Sequence, residues 1–171
     1  VAEKALDICG NNVDIVFFGD DLAGQMAPLF DPKIYRELIK PRHARMIDAV
    51  KRKADVKVLY HSCGAVSQMI DDLIEIGVDA LNPVQVGAGD MEPASLKQRF
   101  GDRITFWGGI DTQRILPFGS PDEVTDEVNR VIGILGENGG FVLNSVHNIQ
   151  DDIPTANIIA LFDAGQAHGT S

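Results

Sequence analysis

The fold is decided by one stretch of the sequence, Val56-Lys57-Val58-Leu59-Tyr60-His61-Ser62-Cys63-Gly64. Its first residues are mostly β-branched, aliphatic or aromatic, which is typical of a buried strand, and its glycine permits a sharp turn. Apolar residues then recur at positions 66, 69, 70, 73 and 74, which is the spacing of one helical face. Gly77 follows as the expected C-terminal cap. A buried strand followed at once by an amphipathic helix is the βα unit of a parallel sheet.

The same βα unit recurs along the chain. Predicted strands cover residues 13–18, 56–61, 80–82, 104–107 and 141–144. Helices are predicted from Asp31-Pro32 to about residue 53 with a break near Pro41, and over 66–76, 93–100, 120–137 and 155–169. Ser120-Pro121-Asp122-Glu123 matches a capping box. Five strands in strict alternation with helices predict a parallel sheet with right-handed crossovers.

Composition excludes several classes of protein. The chain has 171 residues, which predicts a single domain over residues 1–171. Its 15 basic and 25 acidic residues give a net charge of -10, so nucleic acids and anionic membrane surfaces are poor partners. No apolar run approaches the roughly 20 residues of a membrane span. Two cysteines cannot build a disulfide framework, which favours a location in the reducing cytoplasm.

The polar residues of the chain cluster where the predicted strands end. They are Asp20, Asp21, His61, Cys63, Asn82, Gln85, Asp111, Asn144 and His147. A (β/α)8 barrel builds its active site in this way, whereas two adjacent carboxylates after the first strand disfavour a nucleotide site of the doubly wound type. Because a complete barrel takes about 250 residues, we expect about five of its eight units here. The chain begins without Met inside a helical pattern, so we expect units to be missing upstream.

His61-Ser62-Cys63 is the sharpest chemical feature. Residues i and i+2 of a strand project from the same face, so the imidazole and the thiol point together. These groups are preferred zinc ligands, and a catalytic zinc site uses three protein ligands with one open position. The alternative is a structural role, with Cys63 as a small buried apolar residue and His61 as a hydrogen-bonded strand end.

Further candidates surround this pair. In a barrel, His147 would face it across one mouth as a third metal ligand or a general acid. Asp20-Asp21 could bind a cation, act as acid or base, or orient a histidine, and neighbours on an extended chain point opposite ways, so one aspartate, Asp21, is favoured for the mouth. Asp111 is a further catalytic or orienting candidate. The predicted substrate-binding residues are Asn82, Gln85 and Asn144. By contrast, His43 is expected on the surface of a helix.

Taken together, these segments resemble the C-terminal part of the uroporphyrinogen decarboxylase superfamily. The matching segments occur in family order and are residues 18–25, 61–64, 81–85, 107–111 and 144–149. The resemblance implies a TIM barrel of about twice this length, of which the chain would hold roughly strands four to eight. It lies nearest the zinc-dependent branch, which moves a methyl group from a corrinoid protein to a thiol such as coenzyme M.

The resemblance also implies a zinc site, with one departure from the family pattern. His61 and Cys63 match the branch's H-x-C zinc pair, but its distant cysteine is absent and His147 stands in that neighbourhood. The other branch decarboxylates uroporphyrinogen without a cofactor and carries a histidine there in an N-L-G-H-G motif, both glycines of which are replaced here, by Val146 and Asn148. The sequence therefore mixes features of the two branches.

The leading hypothesis is a zinc-dependent methyltransferase-type domain that acts between a corrinoid or methylated donor and a thiol-type acceptor. Its partners would be a small-molecule substrate and a corrinoid protein. The first alternative is a metal-free decarboxylase-like lyase. The second is a non-catalytic barrel fragment. Because five strands leave two open sheet edges, we also expect a homo-oligomer or association with the missing half-barrel.

Overall fold

The computed structural model describes residues 2–9 and 12–169. Its five strands form one parallel sheet, paired in chain order from first to last. They are β1 (Ile15–Gly19), β2 (Lys57–His61), β3 (Ala80–Val84), β4 (Thr105–Ile110) and β5 (Phe141–Ser145). A doubly wound sheet reverses its strand order at a switch point, and this sheet does not. The architecture is therefore that of a partial TIM barrel, as predicted.

Helices lie between successive strands, and one helix precedes β1 and another follows β5 in the described part of the chain. They are α1 (Ala2–Cys9), α2 (Pro32–Ile34), α3 (Lys40–Lys53), α4 (Ile70–Glu75), α5 (Pro93–Phe100), α6 (Ile115–Phe118), α7 (Pro121–Leu135) and α8 (Thr155–Gly169). A 3-10 turn over Ser67–Met69 leads into α4. No helix in the described part of the chain has the length and apolar character needed to cross a bilayer.

Local sequence signals set the helix ends. The side chain of Asp31 accepts a hydrogen bond from the Lys33 amide at 2.8 Å, and the capping box at Ser120 is fully formed. Gly77 follows α4 with a φ of +96°, a backbone region that favours glycine. The break predicted near Pro41 is a π-helical turn over Tyr35–Ile39, because a proline offers no N–H to continue the α-helical ladder.

One face of the sheet carries the core and the other is open. Val58, Leu81 and Phe106 point toward the helices and are fully buried. On β1 the opposite, concave face exposes Ile15 and Phe17, which remain 45% and 59% accessible. In a closed barrel such residues fill the interior. The strand ends and their loops lie at one rim of this sheet, and the candidate site is there.

Candidate functional site

The end of β2 brings three potential metal-binding groups together. The Nε2 atom of His61 lies 3.5 Å from Cys63 Sγ and 3.9 Å from Asp21 Oδ1. All three donor atoms lie within 4.8 Å of one another. Asp21 also accepts a hydrogen bond from the Cys63 backbone N–H at 2.9 Å. Strands β1 and β2 pair so that Gly19 lies beside His61. This register brings Asp21 next to His61 and Cys63, the pair already identified in the sequence.

The neighbouring strand orients the histidine. Asn82 is the register partner of His61 on β3, and its Oδ1 atom lies 2.7 Å from His61 Nδ1. An amide oxygen only accepts hydrogen bonds, so Nδ1 carries the proton and the Nε2 lone pair faces Cys63 and Asp21. A hydrogen bond of this kind is the usual outer-shell support of a metal-binding histidine. Asn82, which we predicted to bind substrate, therefore has its acceptor oxygen engaged with His61.

A glycine lets the loops meet closely behind the thiol. Gly64 has a φ of +86°, and a Cβ added there would lie 2.7 Å from the Ala23 carbonyl oxygen. The loop is tied down by a 2.9 Å hydrogen bond from the Ala65 N–H to the Gly24 carbonyl. Cys63 is thereby held against the loop that follows β1. Burial is the main cause that raises the pKa of its thiol, and the Asp21 charge adds to it. The metal-free thiol is therefore protonated at neutral pH.

A cleft of about 410 Å³ opens beside Cys63, between the loops that follow all five strands. His147 lies on this cleft, as does Gln85, which is buried and accepts a 2.7 Å hydrogen bond from the Gly64 N–H. The His147 ring is not part of the group of three donor atoms, whose carboxylate comes from Asp21. Its role as third ligand or acid stays a prediction.

Asp111 and Asn144, the two remaining candidate site residues, lie outside the group of three metal-binding atoms. Asp111 accepts hydrogen bonds from the N–H groups of Gln113 at 2.6 Å and Arg114 at 3.1 Å, so it caps the turn after β4. Asn144 lines a separate hollow of about 200 Å³ between β5 and α8. The structure does not bring its side chain to the cleft that contains Cys63. Substrate binding by Asn144 stays a prediction.

The prediction of a surface position for His43 is wrong. Its side chain is buried on α3, with Nε2 3.3 Å from Asp20 Oδ2 and Nδ1 within 3.4 Å of the Tyr35 and Tyr60 hydroxyls. Burial raises the pKa of both tyrosines, so they remain hydroxyls beside Nδ1, whose single lone pair can accept from one of them, while Nε2 faces Asp20. The spacing of His43, Ile47 and Val50 on one helical face was the available sequence signal.

Comparison with known proteins identifies the family. The family model described as uroporphyrinogen decarboxylase (URO-D) matches residues 2–168. This chain therefore belongs to the uroporphyrinogen decarboxylase family. It is 28% identical over 159 residues to a uroporphyrinogen decarboxylase of Hydrogenovibrio crunogenus, covering 86% of this chain and 43% of that protein. A uroporphyrinogen decarboxylase of Serratia proteamaculans is 26% identical over 136 residues, covering 78% of this chain and 36% of the relative.

A solved structure shares the fold. A methyltransferase from Methanosarcina mazei superposes with a TM-score of 0.73 at 22% identity, covering 97% of this chain and 45% of the other. The chain thus spans less than half the length of these relatives. Its five strands correspond to part of that fold, and in the described part of the chain β1 and β5 each leave one sheet edge unpaired.

Proposed function

We propose that this chain is the zinc-bearing part of a methyltransferase that moves a methyl group between a corrinoid or methylated donor and a thiol-type acceptor. The observation that carries the proposal is the orientation of His61. Its Nδ1 is held by Asn82 at 2.7 Å, and its Nε2 lone pair is directed at a thiol and a carboxylate. This arrangement suits a metal ligand better than a histidine that only ends a strand.

The spacing of the donors fits zinc. Tetrahedral zinc with ordinary bond lengths holds an imidazole nitrogen and a thiolate sulfur about 3.5 Å apart, and an imidazole nitrogen and a carboxylate oxygen about 3.4 Å apart. The observed separations are 3.5 Å for His61 and Cys63 and 3.9 Å for His61 and Asp21. The His61–Cys63 pair already has the zinc spacing, and the carboxylate has to approach His61 by about half an ångström. The Asp21 side chain is partly exposed, and its Oδ1 already lies beside Cys63 through the hydrogen bond from the Cys63 N–H.

In this proposal each residue has a defined task. His61, Cys63 and Asp21 would hold the zinc, and Asn82 would keep the imidazole in the binding tautomer. When bound, zinc supplies an open position at which the pKa of an acceptor thiol falls. His147, on the wall of the same cleft, would exchange the proton of that thiol or replace Asp21 as third ligand.

Metal analysis tests the proposal. Protein purified without chelator should contain about one zinc per chain, and His61→Ala with Cys63→Ala should lose it. Exposed Cys9 offers the control, because Cys9→Ala removes a thiol far along the chain and should leave the zinc in place. Comparing Asp21→Ala with His147→Ala then identifies the third ligand. Protein without metal, or metal retained in the double variant, would refute the zinc site.

The second candidate is a decarboxylase-like lyase without a metal, in which His147 and an aspartate would act. It is favoured by the names of the two curated relatives reported above, which are uroporphyrinogen decarboxylases. Among the described residues that line the cleft, however, none is lysine or arginine, and the substrate of those relatives carries many carboxylates. Titration with uroporphyrin separates the candidates, since the methyltransferase proposal predicts no uptake.

We also propose that strands from outside these 171 residues pair with the edges of β1 and β5. The support is an apolar surface beside those edges, where Phe17 on β1, Met46 near it, and Ile159 and Phe162 on α8 are all at least half exposed. Open parallel edges next to apolar side chains favour association. Light scattering at micromolar concentration should show a dimer or larger species. A monodisperse monomer would contradict the association.

A further inference from the structure

Three glutamines form a continuous hydrogen-bonded chain along the cleft. Gln85 follows β3, Gln25 follows β1 and Gln113 follows β4. The Gly64 N–H donates to Gln85 Oε1 at 2.7 Å, and Gln85 Nε2 donates to Gln25 Oε1 at 2.8 Å. Gln25 Nε2 then donates to Gln113 Oε1 at 3.2 Å and to the Gly87 carbonyl at 3.3 Å. All three side chains line the cleft beside Cys63.

The donor-to-acceptor direction of these glutamine hydrogen bonds is fixed at the Gly64 end. A backbone N–H can only donate, so Gly64 sets the carbonyl end of the Gln85 amide toward itself. Each following amide must then accept on its oxygen and donate from its nitrogen. The last member, Gln113, uses its oxygen for Gln25 and retains an –NH₂ for which no described residue is an acceptor. The far end of this hydrogen-bonded chain therefore presents the two N–H donors of the Gln113 amide.

The turn that carries Gln113 is also held in place. The Gln113 backbone N–H donates to Asp111 Oδ1 at 2.6 Å. A donor fixed by its own loop and by a neighbouring side chain loses little entropy when a ligand binds.

The charge of the cleft limits what such a donor can bind. The polar side chains on the cleft are mainly uncharged, namely Gln25, Gln85, Thr112, Gln113, Asn148 and Gln150. Asp152 adds a negative charge, and among the described lining residues His147 is the one side chain able to carry a positive charge, since none is lysine or arginine. An anion would lose hydration here beside the Asp152 carboxylate, with no lysine or arginine to offset that loss.

We infer that the Gln113 –NH₂ is the donor of a binding subsite for an uncharged ligand with a carbonyl, ether or hydroxyl oxygen. The inference rests on the proposed function only in taking this cleft as the substrate cleft. The chain of amides polarises each successive member, so Gln85 and Gln25 are positioning residues for the donor rather than ligand contacts.

A pair of probes with the same shape and different charge tests the subsite. The full chain, prepared without zinc, is titrated with 4-methoxybenzamide and with 4-methoxybenzoate. The amide should bind at least tenfold more tightly than the carboxylate and should shift the side-chain –NH₂ signals of Gln113 in ¹H–¹⁵N spectra. Equal or tighter binding of the carboxylate, unchanged Gln113 signals, or no binding of either probe would each overturn the inference.

Variants separate the donor from its support. Gln113→Met keeps the size of the side chain and should weaken binding of the amide probe at least tenfold. Gln25→Leu interrupts the series of glutamine hydrogen bonds and should weaken binding of the same probe about fivefold. Gln68→Met, an exposed position on the 3-10 turn, is the matched control and should change nothing. Thermal unfolding confirms that each variant folds. Zinc affinity, measured separately, should be the same in Gln113→Met, so failure of the zinc site and failure of this subsite give different results.

Discussion

Replacing Asn82 tests whether the tertiary structure prepares His61 for a metal. In Asn82→Ala the 2.7 Å contact to His61 Nδ1 is lost, and the imidazole can rotate or change tautomer. Loss of an outer-shell partner typically weakens metal binding 10–100-fold. The His61 side chain is 29% exposed, so water replaces part of the lost bond. We therefore expect the lower part of that range, about 10–30-fold, or about 1.4–2 kcal/mol.

The assay is competition for zinc against a chromogenic chelator at pH 7.5. Asn82→Asp is the matched control, because it keeps an acceptor oxygen at the same position and adds a charge that favours the protonated Nδ1. Its affinity should equal or exceed that of the natural chain. A change below threefold in Asn82→Ala, or equal losses in both variants, would show that the acceptor oxygen does not organise the site.

Three further outcomes follow from the structure. Gly64→Ala places a Cβ 2.7 Å from the Ala23 carbonyl at a φ of +86°, so we expect a loss of about 1 kcal/mol or more in unfolding free energy and weaker zinc binding; an unchanged urea midpoint would contradict this. Ser120→Ala removes the capping box of α7 and should lower the unfolding free energy by about 1 kcal/mol, with Ser120→Asp as the control that retains a cap. Burial raises the pKa of the Cys63 thiol and zinc binds the thiolate, so zinc affinity should rise about tenfold per pH unit until the pH passes that pKa; pH-independent affinity between pH 6 and 8 would exclude Cys63 as a ligand.

Local sequence patterns were sufficient to predict the helices and strands of the fold. The predicted helix over residues 93–100 has those bounds in the structure, and the caps at Asp31 and Ser120 are formed as predicted. These signals depend on contacts within a few residues of one another, so the sequence carries them directly. Strand ends were less well predicted. β3 reaches Val84 and β4 reaches Ile110, because a strand continues for as long as its neighbour supplies hydrogen-bond partners.

The sequence by itself determined the βα alternation, the strand-end position of the chemical groups and the H-x-C pair, since each depends on spacing along the chain. The tertiary structure decided which groups meet. Strand register brings Asp21 to Cys63 and Asn82 to His61, while Asp20 turns away to the buried His43. Contacts between residues about 20 to 90 positions apart, including the hydrogen-bonded chain of glutamines, depend on how strands align across the sheet. No local pattern encodes that alignment.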